Sequence, residues 1–81
     1  MNQVWLDYSL LMHRQIEIVM QIARHDLEHW KWHDVDRERA REEIVEKAKL
    51  QTEFLSNRDR LLELNVALAG FFPERAVLAN G

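Results

Sequence analysis

Three histidines stand at even spacing in the stretch from Ile22 to Arg41, IARHDLEHWKWHDVDRERAR. His25, His29 and His33 are four residues apart, so on a helix they share one edge. Neutral imidazole is the commonest metal ligand in proteins, and two histidines at i and i+4 can chelate one ion. Asp26, Glu28 or Asp36 would supply a third ligand, and a second subunit more. The three histidines span about 12 Å of helical rise, so one ion cannot take them all without a break in the helix. The plainer reading is a polar helix end whose histidines bond carbonyls or water. On it His25, His29 and His33 remain metal candidates only, and no cofactor is expected. The chain has no cysteine, which excludes disulfides and thiolate sites.

Two short stretches resemble known catalytic motifs. Arg24-His25-Asp26-Leu27-Glu28-His29 resembles the R-x4-H motif of HEPN-type ribonucleases, helical domains with an active site at a dimer interface. The resemblance implies Arg24 and His29 as catalytic residues and His25 as the polar residue after the arginine. It covers six of 81 residues, the motif sits early in a short chain, and a straight helix would point Arg24 and His29 apart. Glu42-Glu43-Ile44-Val45-Glu46 resembles the E-E-x-x-E helix of MazG-type pyrophosphohydrolases, whose carboxylates hold Mg²⁺ against phosphates. The downstream E-x-x-D of that family is missing: Ser56 follows Glu53, and Val66 follows Glu63, at the required step. Arg39, Arg41, Lys47 and Lys49 alternate with the acids, as on a solvated, salt-linked helix face. There is no phosphate loop, nucleophile elbow or nucleophilic cysteine. The default is a non-enzymatic protein, with a metal-binding or HEPN-like ribonuclease using Arg24–His33 as the alternative.

The elements that carry these residues are helical. No Gly or Pro interrupts Val4 to Trp32, and Trp5, Tyr8, Met12, Ile16, Val19, Ala23, Leu27 and Trp30 recur at steps of three and four. A second row, Val4, Leu11, Ile18 and Ile22, lies beside them. Together they cover about half of the circumference, more than the roughly 100° of an ordinary surface helix. The stripe ends near Trp32, and His33-Asp34-Val35-Asp36 is the expected bend, with Asp34 and Asp36 both suited to cap the next helix. A second helix follows from about 36 to 69. It has a stripe of Ala40, Ile44, Ala48, Leu55, Leu62, Val66 and Ala69, and a flank of Leu50, Phe54, Leu61 and Leu68. Ala48, Leu55, Leu62 and Ala69 are seven apart, as in a short coiled-coil-like seam whose other positions, Gln51, Arg58 and Asn65, are polar, and such residues fix register at a cost in stability. Gly70 reads as the residue just past the helix, and Phe71-Phe72-Pro73 turns the chain into a short third helix over 73–79.

Length and charge narrow the function. The 81 residues make one domain, of a size that gains support from oligomerisation or metal. A net charge of −3 with mixed signs argues against a dedicated nucleic-acid binder. The N-terminal stretch lacks a basic signal-peptide region, and no apolar run is long enough to span a bilayer. The expectation is a cytoplasmic all-α protein: an antiparallel helical hairpin that associates into a bundle, most simply as a homodimer, with no membrane contact. Leu50, Phe54, Arg58, Leu61, Asn65 and Leu68 are expected at the subunit interface. Trp32, Trp30, His29 and His33 are expected to meet a protein partner, since tryptophan is enriched at binding hot spots. Trp32, off the main stripe, is the better surface candidate, and Trp30 the better core residue. His25 and His29 are expected to be accessible to solvent. A regulatory, accessory or inhibitor role is the functional reading.

Overall fold

A computed structural model describes residues 3–71. Two helices, α1 (Gln3–Trp32) and α2 (Arg37–Phe71), pack side by side as an all-α antiparallel hairpin. The short segment expected at 73–79, like Phe72, lies outside the described residues. Both helices run uninterrupted because their interiors are rich in good helix formers and free of proline.

The reversal is built from one cap. The carbonyl of Trp32 accepts the Val35 N–H at 3.1 Å and the Asp36 N–H at 2.8 Å, closing α1. Asp36 then caps α2: its Oδ1 accepts the Arg39 N–H at 3.1 Å, and its carbonyl accepts the Ala40 N–H at 3.0 Å. Of the two aspartates that suit the role, Asp36 takes it, while the Asp34 carboxylate turns to His33 at 3.1 Å. Gly70 does not stop α2. It lies within the helix, and no glycine among the described residues has positive φ, so the left-handed cap expected there is not formed.

The seam between the helices is a heptad seam, but not along the predicted stripes. On α1 the buried and half-buried residues include the row Val4, Tyr8, Leu11, Gln15, Ile18, Ile22, His25, His29 and Trp32. On α2 they include Ala40, Glu43, Lys47, Leu50, Phe54, Asn57, Leu61, Leu64 and Leu68. Steps of three and four alternate along both rows, as in an antiparallel coiled coil. The predicted second row of α1 and the predicted flank of α2 therefore hold the hairpin together. The stripes expected to form its core, from Met12 to Trp30 and from Ile44 to Val66, lie mainly outside. Among the described residues the buried apolar side chains are Ile18, Ala40, Leu64 and Leu68, a thin core.

Polar residues decide the register. Gln15 is 7% exposed, and its amide is satisfied across the seam. Its Nε2 donates to the Phe54 carbonyl at 2.9 Å, and its Oε1 accepts from Asn57 Nδ2 at 3.1 Å. Arg14 grips Glu53 with two bonds, Nε to Oε2 at 2.6 Å and Nη2 to Oε1 at 2.8 Å. Near the turn, Lys47 donates to Asp26 at 2.6 Å, and His25 Nδ1 meets Glu43 Oε2. A slip of one residue would strand the Gln15 amide without partners, and burying such a group unpaired costs about 1–3 kcal/mol.

The hydrogen bond from Arg14, opposed by desolvation and reinforced by its charge and by Asn57, holds the Glu53 carboxyl below its ordinary 4.5. Because this pKa is depressed by folding, the unfolded chain binds the extra proton between the two values. The contribution of Glu53 is therefore present above about 4.5 and lost as pH falls towards its folded value. In thermal melts from pH 6 to 3, Glu53→Gln is expected to flatten the acid-side loss of stability seen in the parent chain. Asn57→Ala leaves the Gln15 oxygen buried without its donor, and urea melts are expected to show a loss of about 1–3 kcal/mol.

Candidate protein-binding face

The two flanks of the seam differ in chemistry. On one flank the helices carry charge: Arg14 and Glu17 on α1 and Glu53 on α2 are joined by the Arg14–Glu53 bridge. On the other flank α1 presents Met12, Ile16, Val19 and Trp30, and α2 presents Ile44, Ala48, Leu55 and Leu62. Trp30, Ile44 and Ala48 line one shallow groove near the turn together with His25, Asp26, His29, Glu43, Lys47 and Gln51, so at that end these two rows lie on the same side of the hairpin. Exposure along it is large: Ile16 57%, Trp30 69% and Leu62 59%. Single exposed apolar residues are ordinary, but here several large ones gather on one flank, with Asp26, Gln51 and Arg58 among them.

Both helices present this face because each has two apolar rows about a quarter-turn apart. The seam takes one row from each helix and leaves the other beside it. Trp5 continues the row towards the N-terminus, its ring edge-on to Tyr8 at 6.2 Å. Leu27 and Met20 widen it at the outer edge.

The predicted subunit-contact residues divide on this arrangement. Leu50, Phe54, Leu61 and Leu68 are taken up in the seam within the hairpin, because their row packs against α1. They do not form an open surface. Arg58 and Asn65 are exposed, in the row that runs Ile44, Gln51, Arg58, Asn65 at intervals of seven. Arg58 holds Asp59 at 3.2 Å.

The turn gathers the remaining candidates. The rings of His29, Trp30 and His33 cluster with centroids 5.2–5.5 Å apart. Trp30, expected as a partner contact with core packing as the plainer reading, is exposed. Trp32, expected on the surface, is half-buried, with its indole N–H on Glu28 at 3.0 Å and the Arg39 guanidinium 4.1 Å from its ring centroid. The order of the two tryptophans is thus reversed, because Trp32 lies in the seam row and Trp30 outside it. His33 remains exposed.

His25 and His29 are not the open edge expected from their spacing. His25 reaches Glu43 across the seam, and His29 Nδ1 lies 3.1 Å from the Ala40 carbonyl, to which it donates as the Nδ1–H tautomer. Among the described residues no group of three His, Cys, Asp or Glu side chains is placed to hold a metal ion. Arg24 is exposed while His29 faces α2, so the pair implied by the ribonuclease resemblance does not converge. What sequence reasoning missed is the Gln15–Asn57 pair. Its signal was a polar residue at a three–four step between Leu11 and Ile18, with another between Phe54 and Leu61.

The double variant His25→Ala/His29→Ala removes two cross-seam contacts. Each is worth about 0.5–1.5 kcal/mol. Its melt, followed by circular dichroism, is expected to move down by about 1–3 kcal/mol in stability. No helix among the described residues is long and apolar enough to cross a membrane. Neither a family model, a curated protein nor a solved structure matches the chain.

Proposed function

We propose that this chain is a non-enzymatic protein–protein interaction module that works as a homo-oligomeric helical bundle, with the open apolar face as its contact surface. The observation that supports this reading is the gathering of large exposed apolar side chains from both helices, among them Ile16, Trp30, Ile44 and Leu62, on the flank away from the Arg14–Glu53 bridge. A two-helix hairpin with so thin an apolar core gains much of its stability by covering that face. Pairing two hairpins into a four-helix bundle is the familiar way to do so. His33 at the turn, exposed and outside that face, is left for a further protein partner, in keeping with a regulatory, accessory or inhibitor role. The absence of cysteine suits a cytoplasmic setting.

Light scattering on a size-exclusion column tests the reading. At high micromolar concentration the chain is expected to run at twice its monomer mass. Leu62→Lys places a charge on the face without touching the hairpin seam. Each Leu62 burial is worth about 1.5–3 kcal/mol and occurs twice in a symmetric dimer, so association is expected to weaken at least about a hundredfold with helicity retained. A parent chain that stays monomeric with a sharp, cooperative melt would overturn the proposal.

A further inference from the structure

We infer that the occupant of the apolar face is a second copy of this chain, laid on it with the two turns at opposite ends and Gln51 on the symmetry axis. This deepens the self-association reading and rests on it.

Area is the first argument. Two helices about 10 Å across and about 45 Å long offer a face on the order of 900 Å². A standard interface takes about 800 Å² from each partner, so one hairpin covers another completely. A closed two-fold pairing is self-complementary and leaves no apolar remainder to propagate.

Charge is the second, and it fixes the direction. Gln15 bonds the Phe54–Asn57 turn, and Asp26 bonds Lys47, so along the antiparallel helices Gln51 comes level with about Val19. That level is the middle of the overlap between α1 and α2. Arg58 lies seven residues from Gln51 towards the open end, and Asp26 seven residues from Val19 towards the turn. Each is therefore about 10 Å from the middle, on opposite sides of it. With the turns at opposite ends, Arg58 of one copy comes level with Asp26 of the other. The charges then alternate: Lys47 and Asp26 from one copy, Arg58 and Asp59 from the second, each inner pair already partnered within its own chain. The two Gln51 amides meet at the axis, where each supplies both donor and acceptor. With the turns together, Arg58 would lie level with Arg58 and Asp26 with Asp26, and like charges in a desolvated interface select against that arrangement.

The turn carries the readout. Val35 is 75% exposed and lies sixteen residues beyond Val19. Two Val35 positions are therefore about 45–50 Å apart in the proposed dimer. With the turns together they fall within about 10–20 Å, set by helix spacing and side chains. The chain has no cysteine of its own, so Val35→Cys carries a single spin label.

Pulsed dipolar spectroscopy on the labelled chain, with its mass measured on the same sample, separates the outcomes. A dimer mass with a distance near 45–50 Å is the expected result. A dimer mass with a distance below about 25 Å overturns the orientation but leaves self-association standing. A monomer mass overturns both, and an elution shift only on adding phospholipid vesicles or a heterologous protein would assign the face to that occupant instead. Arg58→Glu, exposed and outside the seam, is expected to weaken the dimer about tenfold. Unchanged affinity in that variant would remove the Asp26 pairing.

Discussion

Gln15 has to be satisfied wherever the chain puts it, and this obligation fixes the rest of the hairpin. Its amide is buried against α2, and the only groups that meet it are the Phe54 carbonyl and the Asn57 amide. A buried amide in a low-dielectric seam is costly unpaired and specific when paired. The Arg14–Glu53 bridge beside it, though partly screened by solvent, points along the same level. Together they choose one register and one rotation of α1 against α2, among several that apolar content alone would permit.

That rotation explains the asymmetry of the hairpin. Once Gln15 and Asn57 face each other, the rows one position round from them on both helices turn to the same side. In an antiparallel pair like flanks adjoin like flanks, so the exposed apolar residues of both helices come to one side, with Asp26, Gln51 and Arg58 among them, and the Arg14–Glu53 flank to the other. The apolar face is thus a consequence of the polar pair, and its breadth follows from the second apolar row in each helix.

The hairpin, its two helices and the position of the bend were legible in the chain, because uninterrupted three–four periodicity and a cluster of capping residues are local signals. The choice between adjacent stripes was not. Counting apolar residues favours the row holding Trp5, Ile16, Leu27 and Trp30, since it is larger and more aromatic than Val4, Leu11, Ile18 and Ile22. The structure takes the smaller row because it contains Gln15, whose partner lies 42 residues away, a relation no local pattern displays. The same error carried over to the candidate site. Leu50 and Phe54 were expected to face another subunit and instead close the hairpin, and Trp30 and Trp32 exchanged places. The histidine spacing was legible as one helix edge, but whether that edge met water or α2 depended on the same unseen rotation.

Within the hairpin the residues of the two catalytic resemblances are held apart for a related reason. A motif of a few residues specifies types along one helix, whereas chemistry needs side chains that converge in space. His29 is spent on the Ala40 carbonyl, His25 on Glu43, and Glu43 leaves its acidic neighbours to do so. Each of these groups acts as a clasp between α1 and α2 near the turn, where the seam has few apolar side chains to bury. Charged and aromatic residues there supply by hydrogen bonding what Ile18, Leu64 and Leu68 supply by burial farther along. The turn end is held by polar contacts and the open end by apolar ones, so the histidine-rich segment is the fastening of the hairpin.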